Sequence, residues 1–327
     1  MGMRWKSSKD RPFHLGTFPM EKLLRQAEPA GLDQLKPQSP LPFAREDDPA
    51  SIINAMGEYM GMLDAIRIGM KNPVPATCPD DLTERANHLR AFGYFGDASI
   101  MGTTLLAEDD KLAQPFRNPE IDRLAHRLRT EQTKTLAAGI DAIMADLKES
   151  MSAPETGIDG HSHALVFLYA NPRAPRADEA GSRWIMDAQA QRSALRANEG
   201  AAVLANYFRT LGYEARSHSA TTSDVDLRRL AVKAGLAIVE DGELVNPLIP
   251  DGFEVAAVTT DFAFATDEPL VPRQSWPVRQ APKTAFAKRD FVLSEHPFET
   301  LKRVDETSTF IDEPRVARVP KRTDMFA

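Results

Sequence analysis

The sequence predicts an α+β fold in which a small sheet is sandwiched with long helices. Long stretches carry apolar residues every three or four positions, and short continuous apolar runs sit between turn-forming flanks. Helices come first along the chain and then alternate with a few strands. The ends break this pattern, because residues 1–48 and 266–327 hold many prolines and no sustained period. The expected organisation is therefore an extended N-terminal arm (1–48), a folded body (49–265) and an extended Pro-rich C-terminal arm (266–327).

The N-terminal arm, with "LDQLKPQSPLPFAREDDP", has one short helical pattern from Met20 to Gln26. In the body, Ile52, Met56, Met60, Leu63, Ile66 and Met70 form the stripe of an amphipathic helix over 51–71, and its methionines fit an irregular core. A second helix is expected within 80–90. The glycines of "AFGYFGDASIMGTT" leave the next stretch without a clear period. Asn118 is a good N-cap with Pro119 at the first helical position, and one apolar face runs on to Ser150. "HALVFLYA" reads as a buried strand. A helix is expected from Trp184 to Leu211, closed by Gly212. A strand at "YEARSHS", a short helix from Ser223 or Asp224 to Ala234 and a strand at "FEVAAVTTDF" complete the body.

Composition narrows the function. The 327 residues are 42% hydrophobic, enough for a substantial core, and the net charge of −7 is spread with both signs mixed. That gives no basic face for nucleic acid. No run approaches the ~20 apolar residues of a membrane span, and the N-terminus has no apolar stretch after its basic residues, so a cytoplasmic location is expected. Cys78 is the only cysteine, and one thiolate cannot hold an iron–sulfur cluster.

Between Gly200 and Leu270 the chain reads "AVLANYFRTLGYEA", "LAVKAGL", "NPLIPDGFEVAAVTTD" and "DEPL". The order and spacing of these pieces resemble the corrinoid-binding region of reductive dehalogenases, and "RPFHLGTFPMEKL" resembles the opening of the long cytoplasmic members. The resemblance implies a nitroreductase-like sandwich and a cobalamin cofactor. It carries the family's cofactor-binding positions onto Gly235, Gly242, Gly252, Thr259, Thr260 and Asp261. Glycines between a helix and a strand suit a large flat ligand, because backbone without Cβ atoms can approach its rim.

The departures matter as much. A family glycine becomes Ala237, and family arginines fall at Asp241 and at or beside Glu254, which reverses the charge there. The long members resemble an internal duplication whose first copy holds no cofactor, and "VARVPKRTDMFA" resembles the joint between the halves. The expected function is therefore a non-catalytic scaffold half that packs, in cis or in trans, on a cobalamin- and iron–sulfur-containing catalytic half. The alternative is a corrinoid- or flavin-binding reductase fed by a separate iron–sulfur protein, and a plain soluble domain without redox chemistry stands as a third reading.

Other constellations weigh toward structure. His161 and His163 have strand spacing that offers two imidazoles but no evident third ligand. His126 reads as a helix-flank histidine. Tyr94, Tyr169, Tyr207 and Tyr213 include possible proton donors, but no motif singles one out. Cys78 has no neighbouring base and reads as a structural thiol.

Overall fold

Strand β3 (His163–Ala170) buries six consecutive residues, which a strand can do only when helices or arms cover both faces of its sheet. A computed structural model of the chain describes residue 16 and residues 20–42, 46–48, 51–130, 157–246 and 248–272. Its four-stranded sheet has the order β1 (Ile100–Leu105), β3, β8 (Phe253–Thr260) and β4 (Ala215–His218). All three pairings are antiparallel, with Val166 opposite both Gly102 and Ala257.

Alternation along β3 separates two cores. Ala164, Val166 and Leu168 join Val255, Ala257 and the helix α6 (Leu227–Lys233) on one face. Leu165, Phe167 and Tyr169 join Ala256, Val258, the helix α2 (Leu82–Phe95) and the long helix α5 (Gln189–Thr210) on the other. Helix α5 reaches the sheet through Ala197, Ala201, Leu204, Ala205 and Phe208, and the alanines let it lie close. Two more helices stack outside it: α1 (Ile52–Ala65) packs on α5, and α3 (Glu120–Thr130) packs on α1.

The mixed architecture agrees with expectation, and the two apolar runs "HALVFLYA" and "FEVAAVTTDF" pair with each other at the centre of the sheet. Among the described residues the sheet is covered by α2, α5 and α6, while α1, in the expected 51–71 stretch, packs on α5 instead. Helix α1 buries Met56 and Met60 and leaves Ile52 exposed, and Ile66 and Met70 lie exposed beyond its end, so the expected stripe is neither one helix nor one face. It stops at Ala65, where the Ile66 N–H turns back to the Leu63 and Asp64 carbonyls. The expected helix from Trp184 divides into α4 (Ser182–Ile185) and α5 around Asp187, a non-glycine residue at φ +65. Ser223 and Asp224 do not begin a helix. They form β5 (Ser223–Val225) against β2 (Lys111–Phe116), and Asp226 caps α6 by accepting from the Arg228 and Arg229 N–H groups at 3.0 and 3.1 Å. Asn118 does cap α3, its side chain accepting from Glu120 N at 3.0 Å. The expected helical residues 131–150 and the arm beyond residue 272 lie outside the described residues.

Part of the N-terminal arm contributes to the core. Met20 and Leu23 are buried among the α6-side residues, Arg25 bridges to Leu270, and Leu41 donates to the Ala220 carbonyl at 2.8 Å.

Both Val166 and Val258 are fully buried, so an aspartate at either place puts an unpaired charge into a packed core. Val166→Asp and Val258→Asp are each expected to cost several kcal/mol, on the order of 3–5, read as loss of cooperative thermal unfolding or of soluble protein.

Candidate functional site

The glycine-bearing segment between α6 and β8 is more regular than its sequence suggests. Residues 238–245 form a hairpin of β6 (Ile238–Glu240) and β7 (Glu243–Val245), closed by Asp241 at φ +52 and Gly242 at φ +79. Two consecutive positive φ values are what a tight primed turn demands, and Asp-Gly is the dipeptide that signals it. Asp241 is thus an exposed turn residue. Ala237, at the place of a family glycine, is fully buried beside Leu236 and Ile238.

The three glycines expected to leave room for a ligand are approached by other parts of this chain. Gly235, at φ +63, faces the guanidinium of Arg25, which donates to the Gly235 carbonyl at 3.0 Å and to the Glu268 carbonyl at 2.7 Å. A Cβ on Gly242 would stand 3.0 Å from the Gln34 carbonyl and 3.4 Å from the Lys36 side chain. The Lys36 N–H donates to the Gly242 carbonyl, and the Lys36 ammonium meets Glu243 at 2.6 Å. Gly252, at φ +85, is approached by the side-chain amide of Asn171. Residues 25–36 therefore lie along the segment, and the open backbone serves packing within the chain.

Where β4 leaves the sheet, the edge of β8 borders a cavity of about 380 Å³. The arm residues Gln38–Pro42 form its outer wall, Arg228 and Glu243 one side, and Gly252, Phe253 and Glu254 its floor. Arg228 is already engaged with the Gly242 carbonyl at 2.8 Å and with Glu243 at 2.7 Å. Glu254 lies across from Tyr169 of β3, and desolvation pushes its carboxyl up to about 7. The Tyr169 hydroxyl donates to the Gly96 carbonyl at 2.9 Å, and burial raises it to about 12. A phenol held there is no ready acid.

Thr259, Thr260 and Asp261 do not share that cavity. Thr260 donates to the Glu214 carbonyl at 2.6 Å and accepts from Phe262 N at 3.1 Å, while Asp261 is exposed. Thr259 is fully buried between two imidazoles, with His218 Nε2 at 2.8 Å and His161 Nδ1 at 2.7 Å. His218 Nδ1 accepts from the Asp224 N–H at 3.3 Å, so its proton resides on Nε2 and points at Thr259. The Thr259 hydroxyl then donates to His161. Burial keeps His218 neutral, its pKa falling well below the usual histidine value, and it lowers His161 to about 4. His163 instead stacks edge-on against Phe264. Among the described residues no group of His, Cys, Asp and Glu is arranged to hold a metal ion.

Sequence reasoning missed the charged interior into which this chain of groups leads. Asp224 accepts from Arg67 at 3.1 Å through both oxygens and from Arg216 at 2.8 Å. Burial opposes its ionisation, but the Arg67 and Arg216 guanidinium groups outweigh that and hold it at about 2. One turn before Arg67, the buried Asp64 receives Asn118 at 2.8 Å, Asn198 at 2.7 Å, Ser219 at 2.9 Å and Thr221 at 2.6 Å. Four donors match the four lone-pair sites of a carboxylate. The available signal was Asp64 and Arg67 interrupting the apolar stripe of α1.

The pH dependence separates Glu254 from the histidines. A carboxyl raised to about 7 makes the folded state lose stability as pH rises from the unfolded value near 4.5 to 7. His161, lowered to about 4, does the reverse, adding stability as pH rises from 4 to 6.5. Glu254→Gln removes only the first effect. Its thermal midpoint is expected to match the parent at pH 4 and to exceed it at pH 8 by about 2–4 °C, the shift that about 1 kcal/mol gives a body of this size. The check is calorimetry at both pH values.

No family model matches the chain, and no curated protein sequence matches it either. Solved structures do. Catabolic reductive dehalogenase NpRdhA is 33% identical, with a TM-score of 0.63 over 86% of this chain and 34% of that one. The same enzyme in complex with 3-bromo-4-hydroxybenzoic acid is 34% identical, with a TM-score of 0.63 over 87% and 34%. A reductive dehalogenase whose structure suggests a mechanism for B12-dependent dehalogenation is 32% identical, with a TM-score of 0.63 over 87% and 34%. Among the described residues no helix is long and apolar enough to cross a membrane. The sequence pieces and the fold thus agree: this chain resembles the reductive dehalogenases, and it spans about a third of the length of those it matches.

Proposed function

We propose that this chain is the non-catalytic scaffold part of a reductive dehalogenase-like system, a nitroreductase-like body that packs on a catalytic half carrying cobalamin and iron–sulfur clusters. The observation that carries this reading is the placement of Arg25, Gln34 and Lys36 against the backbone at Gly235 and Gly242. A corrinoid rim approaching from that side meets the arm before it meets the loop, so the residues present do not fit the cofactor. The nearby cavity of about 380 Å³ is far smaller than a corrinoid with its amide side arms. With Cys78 as the only thiol, the chain has no set of thiolates for a cluster.

B12-dependent dehalogenation and a bound bromohydroxybenzoate are described for proteins of which this chain covers only 34%. Those activities are assigned to the remainder, which would bring the cofactors. In this chain the glycine segment is kept as architecture: it holds the arm, and the arm closes one side of the sheet.

The test is a cobalamin titration of the full 327-residue chain followed by visible absorbance, with iron analysis of the purified protein. The expected result is an unchanged cobalamin spectrum and no stoichiometric iron. Tight binding with displacement of an axial cobalt ligand would overturn the scaffold reading in favour of a corrinoid-binding reductase.

A further inference from the structure

Helix α1 carries two apolar faces, and one of them is uncovered among the described residues. The buried face places Met56, Met60 and Ala65 against α3 and α5. The opposite face exposes Ile52, Ala55, Tyr59, Met62 and Ile66, a 3-4-3-4 spacing over the whole helix. Ile52 is 42% exposed, Tyr59 52%, Met62 41% and Ile66 40%. That spacing is the seam by which one helix packs along another. Only Glu58 brings a charge to its flank.

The seam runs on into a groove of about 420 Å³ between the end of α1 and the outer side of α5, lined by Leu63, Ile68, Met70 and Val203, with Asn206 and Arg209 as its polar members. Met70 is 92% exposed and Val203 59%, both unusual for large apolar side chains beside a groove. Together the seam and groove form a mostly apolar strip along two packed helices. Strips of this kind on soluble proteins mark partner surfaces.

The matched reductive dehalogenases supply a measure of what is missing. This chain covers 86% of its own length but only 34% of theirs, so about two thirds of such a polypeptide lies outside it. A domain that belongs to a larger packed body keeps the face that the rest of the body covers. We propose that the α1 seam and the adjoining groove are where the remaining two thirds of a reductive dehalogenase docks, through an apolar helix lying along α1. This assignment rests on the scaffold reading above and names its surface.

The experiment co-expresses the full chain, tagged, with the part of NpRdhA outside the match, required first to be soluble and to unfold cooperatively on its own, and measures co-purification. Three chains are compared: the parent, Met62→Glu with Ile66→Glu, and Phe95→Glu as a control on exposed α2. Each variant is first required to keep the parental melting temperature. The parent and the control should recover the partner equally, and the seam variant should recover it at least about tenfold less, as expected when charges enter the centre of an apolar interface. Equal recovery by all three overturns the seam assignment and leaves the scaffold reading standing. No recovery by the parent overturns both. A parent that instead sediments as a dimer, dissociated by the seam variant, identifies a second copy as the occupant and overturns the proposal.

Discussion

The contact of Arg25 with the Gly235 notch sets the character of this molecule. One guanidinium joins the N-terminal arm to the end of α6, through the Gly235 carbonyl, and to the segment that follows the sheet, through the Glu268 carbonyl. The backbone on both sides follows it: Gln26 donates to Pro269 at 3.0 Å, Val271 to Leu24 at 3.0 Å, and Lys36 to Gly242 at 3.2 Å. A glycine at φ +63 is needed there twice, for the left-handed turn and for the space that the guanidinium takes. The notch at Gly235 is filled by this chain's own arm.

The charged interior performs the corresponding task on the other side of the sheet. Asp64 gathers donors from α3, α5 and the turn after β4, and Asp224 gathers Arg67 and Arg216. Such buried carboxylates hold elements in register only because their lone pairs are nearly all matched; removing one partner leaves a buried charge uncompensated. The two carboxylates are held almost wholly by partners from within the chain. Thr259 is held in the same way, being shared between His218 and His161 and closed to any ligand.

The elements legible in the sequence are those whose pattern is set by burial alone. β3, and the centre of β8 from Val255 to Val258, are continuous apolar runs because both faces of the sheet are covered, and Asn118 and Gly212 mark helix ends through backbone geometry. What was not legible depends on tertiary partners. β1 is a strand containing Gly102, Thr103 and Thr104, polar or small residues that acquire their burial from β3 and from Asp267. The hairpin at Asp241-Gly242 carried a local signal that a ligand-loop interpretation passes over. The stripe on α1 shows a different limit: periodicity gives the apolar positions of a helix but not which of two faces is covered within the chain. For the site, the glycines fall on turns as their spacing suggests, yet only the fold shows which distant groups approach them: Arg25 at Gly235, at a separation of 210, and Asn171 at Gly252.

The most direct measurement of the central claim is amide hydrogen exchange, resolved to single residues, on the intact chain. If the arm is seated on the glycine segment, the N–H groups of Gln26, Lys36 and Leu41 exchange slowly although they lie outside any helix or sheet, because each is bonded to a distant carbonyl. Arg25→Ala should then speed exchange at Gln26 and at Val271 together. Fast exchange of these arm amides in the parent chain would contradict the account, since the backbone at Gly235 and Gly242 would then be open to a ligand.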